Sequence, residues 1–210
     1  MQIKIEIHEA WHAGTGKGEG PAADALIVKN PDGLPYFPGR SLKGILREAS
    51  ELAEKAGKLP AGRSETLFGS SSSSDSPNGT RRFETKQGLL ILSSAELGET
   101  KEKRLKWQKW ARGNPAVLNW VGFNIASTAI DEDGVVKDKS LRLQEFAAPM
   151  TLYAQVRADE VLVKSDDGSW AKDLKEVLPL VRALGMKRNR GFGRCTLTLE
   201  GGIELEKEVL

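Results

Sequence analysis

Residues 185–194 read Gly-Met-Lys-Arg-Asn-Arg-Gly-Phe-Gly-Arg and run directly into the alternating stretch from Cys195 to Leu199. Four cations and three glycines share these ten residues, between a helical pattern and a strand pattern. Glycine lets another backbone or a ligand approach closely, and lysine and arginine supply the charge that phosphate groups require. The pattern predicts either a solvated basic loop that closes a hairpin or a loop that binds a nucleic-acid backbone.

A second segment near the N-terminus favours the nucleic-acid interpretation. Pro38 and Gly39 predict a turn, and Ser41 is the expected N-cap of a helix over residues 41–56. The apolar residues of this helix recur at helical spacing and predict one buried face: Leu42, Ile45, Leu46, Ala49, Leu52, Ala53 and Ala56.

Cations cluster at the start of this helix. Lys43 and Arg47 lie four residues apart and therefore share a face, next to the amide groups of a helix N-terminus, which bind anions. Gly44 costs a helix about 1 kcal/mol relative to alanine, and a close approach by a backbone or a ligand would explain it. Taken alone, the segment also fits an ordinary capped amphipathic helix with solvated cations.

Together the two segments resemble the RAMP superfamily of CRISPR-associated proteins. Residues 38–47 are similar to the N-terminal helix signature of that family, and residues 190–194 are similar to its C-terminal glycine-rich loop. Residues 67–69 and 88–95 resemble the motifs on either side of its variable insertion. Residues 130–146 resemble a hairpin of the backbone subunits of type III interference complexes.

Two positions depart from the family pattern. Arg40 stands where the family often has serine, and Glu132 stands where arginine is usual in the hairpin.

The resemblance implies one RAMP domain over residues 1–210, an α+β fold with a ferredoxin-like (RRM-like) palm built on an antiparallel sheet. It also implies an inserted β-hairpin thumb at about 119–145. The Ser-rich composition of about 69–80 predicts a mobile insertion. The order of strand and helix patterns along the chain fits the same fold class, with strict alternation from Gln2 to Glu6 and a second amphipathic helix from Leu174 to Leu184.

The implied function is that of a crRNA-binding backbone subunit of a type III CRISPR effector complex, which cleaves guide-complementary target RNA with Mg²⁺ or another divalent metal. The implied partners are crRNA, single-stranded target RNA and other effector subunits, including copies of the same chain. Asp24 matches the position of the aspartate that backbone subunits require for cleavage, which makes it the candidate catalytic residue and metal ligand. Mg²⁺ commonly uses one or two carboxylates plus substrate phosphate. A structural turn cap is the alternative role for Asp24.

Candidate RNA-binding residues follow from the two basic segments, and a second group follows from the hairpin. The RNA-binding candidates are Arg40, Ser41, Lys43, Arg47, Lys187, Arg188, Arg190, Gly191, Gly193 and Arg194. The thumb candidates for a wedge against target RNA are Asp131, Asp133, Leu141 and Arg142. An apolar group at 118–123 is a second wedge candidate or part of the core.

Two other functions remain open from the sequence. One is a non-catalytic structural or end-capping RAMP subunit of the same complex. The other is a metal-independent crRNA-processing endonuclease that uses His12, one of two histidines in the chain.

Residues 101–112 form a basic segment with Trp107 and Trp110 three positions apart. A peripheral helix pinned by its tryptophans is the favoured interpretation, and a contact with a neighbouring subunit or with RNA phosphates is the alternative.

Bulk properties fit a cytoplasmic protein without a membrane anchor. Net charge is +2, so clustering of cations matters more than their sum. The single cysteine, Cys195, is expected to be a small buried hydrophobe, and one cysteine allows no internal disulfide. No signal peptide is expected, and no apolar run approaches the length of a membrane span.

Overall fold

A computed structural model describes residues 1–16, 18, 24–70 and 86–201 of the chain. Most of the predicted Ser-rich insertion, and part of the glycine-rich stretch that precedes Asp24, lie outside the described residues.

The central strand of the main sheet is β1 (Gln2–Ile7). Its isoleucines at positions 3, 5 and 7 are buried on one face, as the strict alternation predicts. β1 pairs with strands on both sides, and both pairings are antiparallel.

The main sheet has four strands, in the order β2-β5-β1-β6, and every neighbouring pair is antiparallel. The other strands of the chain are β2 (Leu90–Leu92), β3 (Gly122–Ser127), β4 (Arg142–Ala147), β5 (Met150–Ala158) and β6 (Cys195–Glu200). The helices are α1 (Gly39–Lys55), α2 (Arg63–Phe68), α3 (Lys101–Gly113), α4 (Leu118–Val121) and α5 (Trp170–Val177). Along the chain, β1, α1, β2, β5, α5 and β6 follow the strand and helix order of a ferredoxin-like domain. The prediction of an α+β fold with an antiparallel sheet is confirmed.

Helix α1 begins earlier than predicted. Its N-cap is Pro38, which makes no side-chain cap, and the helix starts at Gly39, so Ser41 lies in the first turn instead of at the cap. Proline fixes φ near the value that a helix start requires, which allows the turn and the helix to join without a capping side chain. α1 buries Leu42, Leu46 and Ala53 in the core.

The second amphipathic helix ends before its predicted limit. α5 ends at Val177, a 3-10 turn covers Leu178–Leu180, and Val181 is extended. Pro179 lacks an amide hydrogen and clashes with the preceding turn, so the α-helix cannot continue to Leu184. Leu184 is nevertheless buried in the core, which explains why its spacing resembled a helix face.

The predicted hairpin is present, with different limits. β3 and β4 pair with each other in a separate two-stranded sheet, whereas residues 118–121, where the predicted hairpin starts, are helical. The bridge between Ile130 and Val136 extends the pairing toward a tight turn at 131–134. Within that turn the Asp131 carboxylate accepts the amides of Asp133 and Val135.

Membrane insertion has no structural support in the part of the chain that the structure describes, where every helix is too short or too polar to cross a bilayer.

Leu46 and Leu52 of α1 provide a test of the core assignment. Leu46 is fully buried, whereas Leu52, which the apolar spacing placed on the same buried face, is 54% exposed. We expect Leu46→Ala to lower the free energy of unfolding by about 2–5 kcal/mol. Leu52→Ala should change it by about 0.5 kcal/mol or less. Chemical denaturation of both variants measures the difference, and equal losses would contradict the assignment.

Candidate nucleic-acid interface

The C-terminal glycine-rich loop packs against the segment that follows β1. The Gly193 amide donates to the Ala10 carbonyl at 2.8 Å, and the Met186 amide donates to the His12 carbonyl at 2.9 Å. A Cβ atom at Gly193 would lie 2.0 Å from the Leu184 carbonyl oxygen, and one at Gly185 would lie 2.3 Å from the His12 oxygen. These two glycines are therefore required by packing within the protein. Gly191 has a φ of +85° and open space around it.

Aromatic contacts attach the same loop to the hairpin. The Phe192 ring lies 4.6 Å from the Phe146 ring of β4, measured between centroids. The Lys187 ammonium lies 5.8 Å from the centroid of the Phe146 ring, within the range of a cation–π contact. The loop therefore has a defined position beside β4.

A groove of about 820 Å³, called here the hairpin groove, separates the glycine-rich loop from the hairpin. Its loop side is residues 185–190, which include the candidate cations Lys187, Arg188 and Arg190. Its hairpin side includes Arg142 and residues 127–130. The predicted loop cations and the predicted thumb cation thus face one space.

A second groove, called here the α1 groove, lies between the glycine-rich loop and the first turns of α1, with a volume of about 250 Å³. Ser41 and Ile45 line it from α1, and Gly185, Met186 and Arg188 line it from the loop. The same three loop residues border the hairpin groove. The two segments that the sequence analysis joined therefore meet, and the two grooves share one wall.

The remaining candidate cations lie outside these grooves. Arg47 donates through one Nη to the Phe68 carbonyl at 2.6 Å, at the end of α2, and its Nε is buried without a partner. Its phosphate contact stays a prediction. Burial, with the nearby charge of Arg47 as a second cause, lowers the pKa of Lys43. Arg40 and Arg194 are exposed but border neither groove.

Arg188, which borders both grooves, lies 3.3 Å from Glu48 of α1.

Gly44 has no packing explanation within the described residues. It is exposed on α1, and a Cβ atom placed there would meet no atom within 4 Å. On the helix surface it lies beside Ser41 and Glu48, which are three and four residues away and face the glycine-rich loop.

Asp24 is exposed and lies against β4, near the turn-side end of its pairing with β3. Its Oδ2 accepts the Leu143 amide at 2.7 Å, and its own amide donates to the Leu143 carbonyl at 2.7 Å. The next residue, Ala25, forms a parallel bridge with Gln144. The structural contact of Asp24 is therefore with β4, 119 residues away, whereas the alternative interpretation placed it in a local turn.

Glu145 organises this corner, a role that sequence reasoning missed. Its Oε1 lies 2.5 Å from the Lys29 ammonium, and its Oε2 accepts the Ile27 amide at 3.1 Å. Its backbone amide donates to the Ala25 carbonyl. Glu145 is buried, and it ties the Asp24 segment to β4. The only signal in the sequence was the glutamate of the hairpin motif.

A family model described as the RAMP superfamily matches residues 4–196. The chain belongs to the RAMP superfamily. No curated protein matches it in sequence.

Three solved structures show the same RAMP architecture at low sequence identity. A chain of a type III-B Cmr-beta complex bound to cognate target RNA has 14% identity and a TM-score of 0.64, with 93% of this chain and 95% of that chain covered. A chain of the apo Cmr-beta complex has 12% identity and a TM-score of 0.64, with 94% and 95% covered. A chain of a type IV-B CRISPR complex has 16% identity and a TM-score of 0.55, with 97% and 93% covered.

The described residues of this RAMP protein fit a divalent metal only as a lightly held ion. They contain no group of three histidine, cysteine, aspartate or glutamate side chains that would hold one. Asp24 offers one exposed carboxylate whose Oδ2 is already hydrogen-bonded, and Lys29 neutralises the carboxylate of Glu145. A Mg²⁺ ion at Asp24 would need water and RNA phosphate for most of its ligands.

His12 is placed unfavourably for cleavage chemistry. It is 1% exposed, and its Nδ1 lies 2.6 Å from the Glu145 carbonyl oxygen. Because a carbonyl only accepts, Nδ1 donates to it. Nε2 is buried without a partner, and Gly14 packs so closely that a Cβ there would lie 2.8 Å from it. His12 borders the α1 groove, but its burial leaves almost none of the ring exposed to a substrate, so the geometry gives the metal-independent alternative little support.

Cys195 is buried, as predicted, and burial raises the pKa of its thiol to about 12. The thiolate needed for nucleophilic chemistry is therefore scarce at neutral pH.

Glu145→Gln tests the organising role of Glu145. The substitution removes the ion pair with Lys29, whose side chain is 37% exposed, so solvent screening reduces the loss. We expect a decrease of about 1–2 kcal/mol in the free energy of unfolding. Glu132→Gln in the exposed hairpin turn is the control and should cost less than about 0.5 kcal/mol. Urea denaturation measures both, and an unchanged Glu145→Gln variant would contradict the role.

Proposed function

We propose that this RAMP protein is a crRNA-binding backbone subunit of a type III CRISPR effector complex that cleaves guide-complementary target RNA through Asp24. The observation that carries the proposal is the meeting of the α1 N-terminus, the glycine-rich loop and the hairpin along two grooves that share Gly185, Met186 and Arg188. Cations on this surface suit phosphates, and phosphate contacts position RNA without reading its sequence. Base pairing with the guide then supplies specificity.

The structural neighbours support the same assignment. One of them is described as bound to cognate target RNA, and both Cmr-beta chains are covered almost completely by this chain. In our proposal the partners of this protein are crRNA, single-stranded target RNA and other effector subunits, including copies of itself. The hairpin, with Asp131 and Asp133 at its turn and with Leu141 and Arg142 where the β3–β4 pairing ends on the side of the turn, acts as the wedge between guide and target.

Asp24 is the proposed catalytic residue because it is exposed and has a defined position beside β4 of the hairpin. Mg²⁺ or another divalent ion, when bound, would supply an activated water. The chain's own contribution is a carboxylate whose Oδ2 is oriented by the Leu143 amide. Glu145 and Lys29 hold the backbone of the following residues in place.

Asp24→Asn separates the charge of this residue from its structural role. Asparagine keeps an oxygen that accepts the Leu143 amide, so folding and guide binding should persist. We expect cleavage of a guide-matched RNA in the assembled complex to fall at least about 100-fold, the lower end of what one group at the reacting atoms contributes. EDTA should have the same effect on the wild type. The readout is a labelled target resolved at single-nucleotide level.

The control for Asp24→Asn is Asp167→Asn, which removes an exposed carboxylate in the loop before α5. This variant should cleave at the wild-type rate. Wild-type cleavage by Asp24→Asn would show that the aspartate is structural.

Gly44→Ala tests whether RNA approaches α1 closely. Nothing in the chain opposes a Cβ atom at Gly44, so we expect the variant to be about 1 kcal/mol more stable. If an RNA backbone lies against Gly44, the same methyl group should weaken RNA affinity. Thermal denaturation and RNA titration measure the two effects. Gly113→Ala, at another helical glycine with open space, is the stability control, and an unchanged RNA affinity in Gly44→Ala would contradict the close approach.

A non-catalytic structural or end-capping subunit is the second candidate. Its support is the bond from the Asp24 carboxylate to the Leu143 amide and the lack, among the described residues, of a group of three metal-binding side chains. An assembled wild-type complex that binds guide and target without cutting the target would decide for this alternative.

A further inference from the structure

Helix α3 is attached to the protein by a narrow stripe. Arg104, Gln108 and Ala111 are the residues of this helix that are not exposed, and they lie at helical spacing on one side. Arg104 donates through Nε to the Gly98 carbonyl at 3.1 Å, and Arg112 donates through Nε to Asp32 at 2.6 Å. Thr100 caps the helix by accepting the Lys103 amide. These contacts hold α3 without its tryptophans.

These polar contacts add to the predicted pinning by the tryptophans, which stays a prediction. Trp107 and Trp110 are 41% and 39% exposed, and their rings meet edge to face at 5.5 Å between centroids. Together with Lys103 and Lys106 they occupy positions i, i+3, i+4 and i+7, which form one face of a helix. We call these four residues the tryptophan face.

The charges around the tryptophan face are mostly positive. Lys106 and Lys109 have no acidic partner among the described residues, whereas Lys103 is paired with Glu99. Glu102 is the single acidic residue within α3. Two indoles that are about two-fifths exposed stand among lysines, and packing within the described part of the chain leaves this exposed part uncovered.

We propose that the tryptophan face is a second contact for single-stranded RNA, separate from the two grooves. This inference extends the proposed function and rests on it. The indole rings stack on bases, and Lys106 and Lys109 contact the adjacent phosphates. Aromatic stacking accepts every base, and cations beside the rings follow the backbone, which is the usual composition of a sequence-independent single-strand site.

Charge complementarity favours RNA over a protein at this face. Lysine is depleted in protein–protein interfaces, whereas tryptophan is enriched in both kinds of surface. The two indole rings touch each other and form one small apolar centre, with lysines, which protein contacts disfavour, beside it. A polyanion with flat bases matches both parts of the surface.

The location also suits an extension of the RNA path. Only a 3-10 turn at Pro115–Val117 and helix α4 separate α3 from β3 of the hairpin. The Arg112 contact to Asp32 ties α3 to the segment that runs from Asp24.

The test is a titration of the full chain with a fluorescein-labelled single-stranded RNA over a series of salt concentrations. Trp107→Ala with Trp110→Ala should weaken binding about fivefold or more through lost stacking, with little change in the salt dependence. Lys106→Ala with Lys109→Ala should lower the log–log salt slope by about 0.7 for each lost phosphate contact. RNA should also quench the tryptophan fluorescence of the wild type more than that of the double tryptophan variant.

The control variant is Lys55→Ala with Lys58→Ala, which removes two exposed lysines at the end of α1 and should bind like the wild type. The lysine pair in α3 also serves as a second variant if loss of both indoles disturbs folding, which circular dichroism measures.

Each outcome decides between the inference and the proposed function. If both α3 variants bind RNA like the wild type while Arg188→Ala with Arg190→Ala binds weakly, the inference is overturned and the proposed function stands. If the α3 variants keep RNA affinity but lose association with other copies in sedimentation, the face binds protein and the inference is also overturned. Failure of the wild type to bind any single-stranded RNA would overturn both.

Discussion

The antiparallel pairing of β1 with β6 is the contact on which the candidate interface depends. Ile7 lies opposite Cys195 at the end of this pairing. Backbone hydrogen bonds continue beyond it, from His8 to Arg194, from Gly193 to Ala10 and from Met186 to His12. Two segments about 180 residues apart are thereby aligned through their main chains. This alignment fixes the positions of the side chains around the grooves, because neither the segment after β1 nor the glycine-rich loop contains a long helix or strand.

Local patterns in the sequence predicted the sheet better than the ends of the helices. The alternation of Ile3, Ile5 and Ile7 has one interpretation, because a central strand buries one face over its whole length. The start of α1 and the end of α5 depend on Pro38 and Pro179, through the fixed φ and the missing amide of proline. Both prolines were visible in the sequence, but the predicted limits followed the expected Ser41 cap and the apolar spacing instead.

The partners of polar side chains were beyond the reach of sequence patterns. Helical spacing correctly placed Arg47 near Lys43, but only the fold brings the Phe68 carbonyl to its guanidinium. In the same way, a resemblance identified Asp24, while the Leu143 amide that orients it belongs to a strand formed 119 residues later. The helix α3 is a further case. The spacing of its tryptophans predicted a peripheral helix, but the polar contacts of Arg104 and Arg112 that attach it depend on the fold.

The net charge of +2 is small, but the cations fall into two classes, those paired with carboxylates and those without such a partner among the described residues. Arg63, Lys29 and Arg112 are paired with carboxylates at 2.5 to 2.6 Å, so their fields largely cancel at a distance. Lys187 and Arg190 have no such pairs within the described part of the chain, and they face the hairpin groove, where nearby protein of low dielectric strengthens their field. Arg188 stands between these two classes, because it forms a longer ion pair with Glu48, at 3.3 Å. A phosphate in the α1 groove would compete with the Glu48 carboxylate for the same guanidinium. In the proposed function, the attraction for a polyanion comes from the cations beside the grooves that folding leaves without a carboxylate partner, and the total charge of the chain has little influence on it.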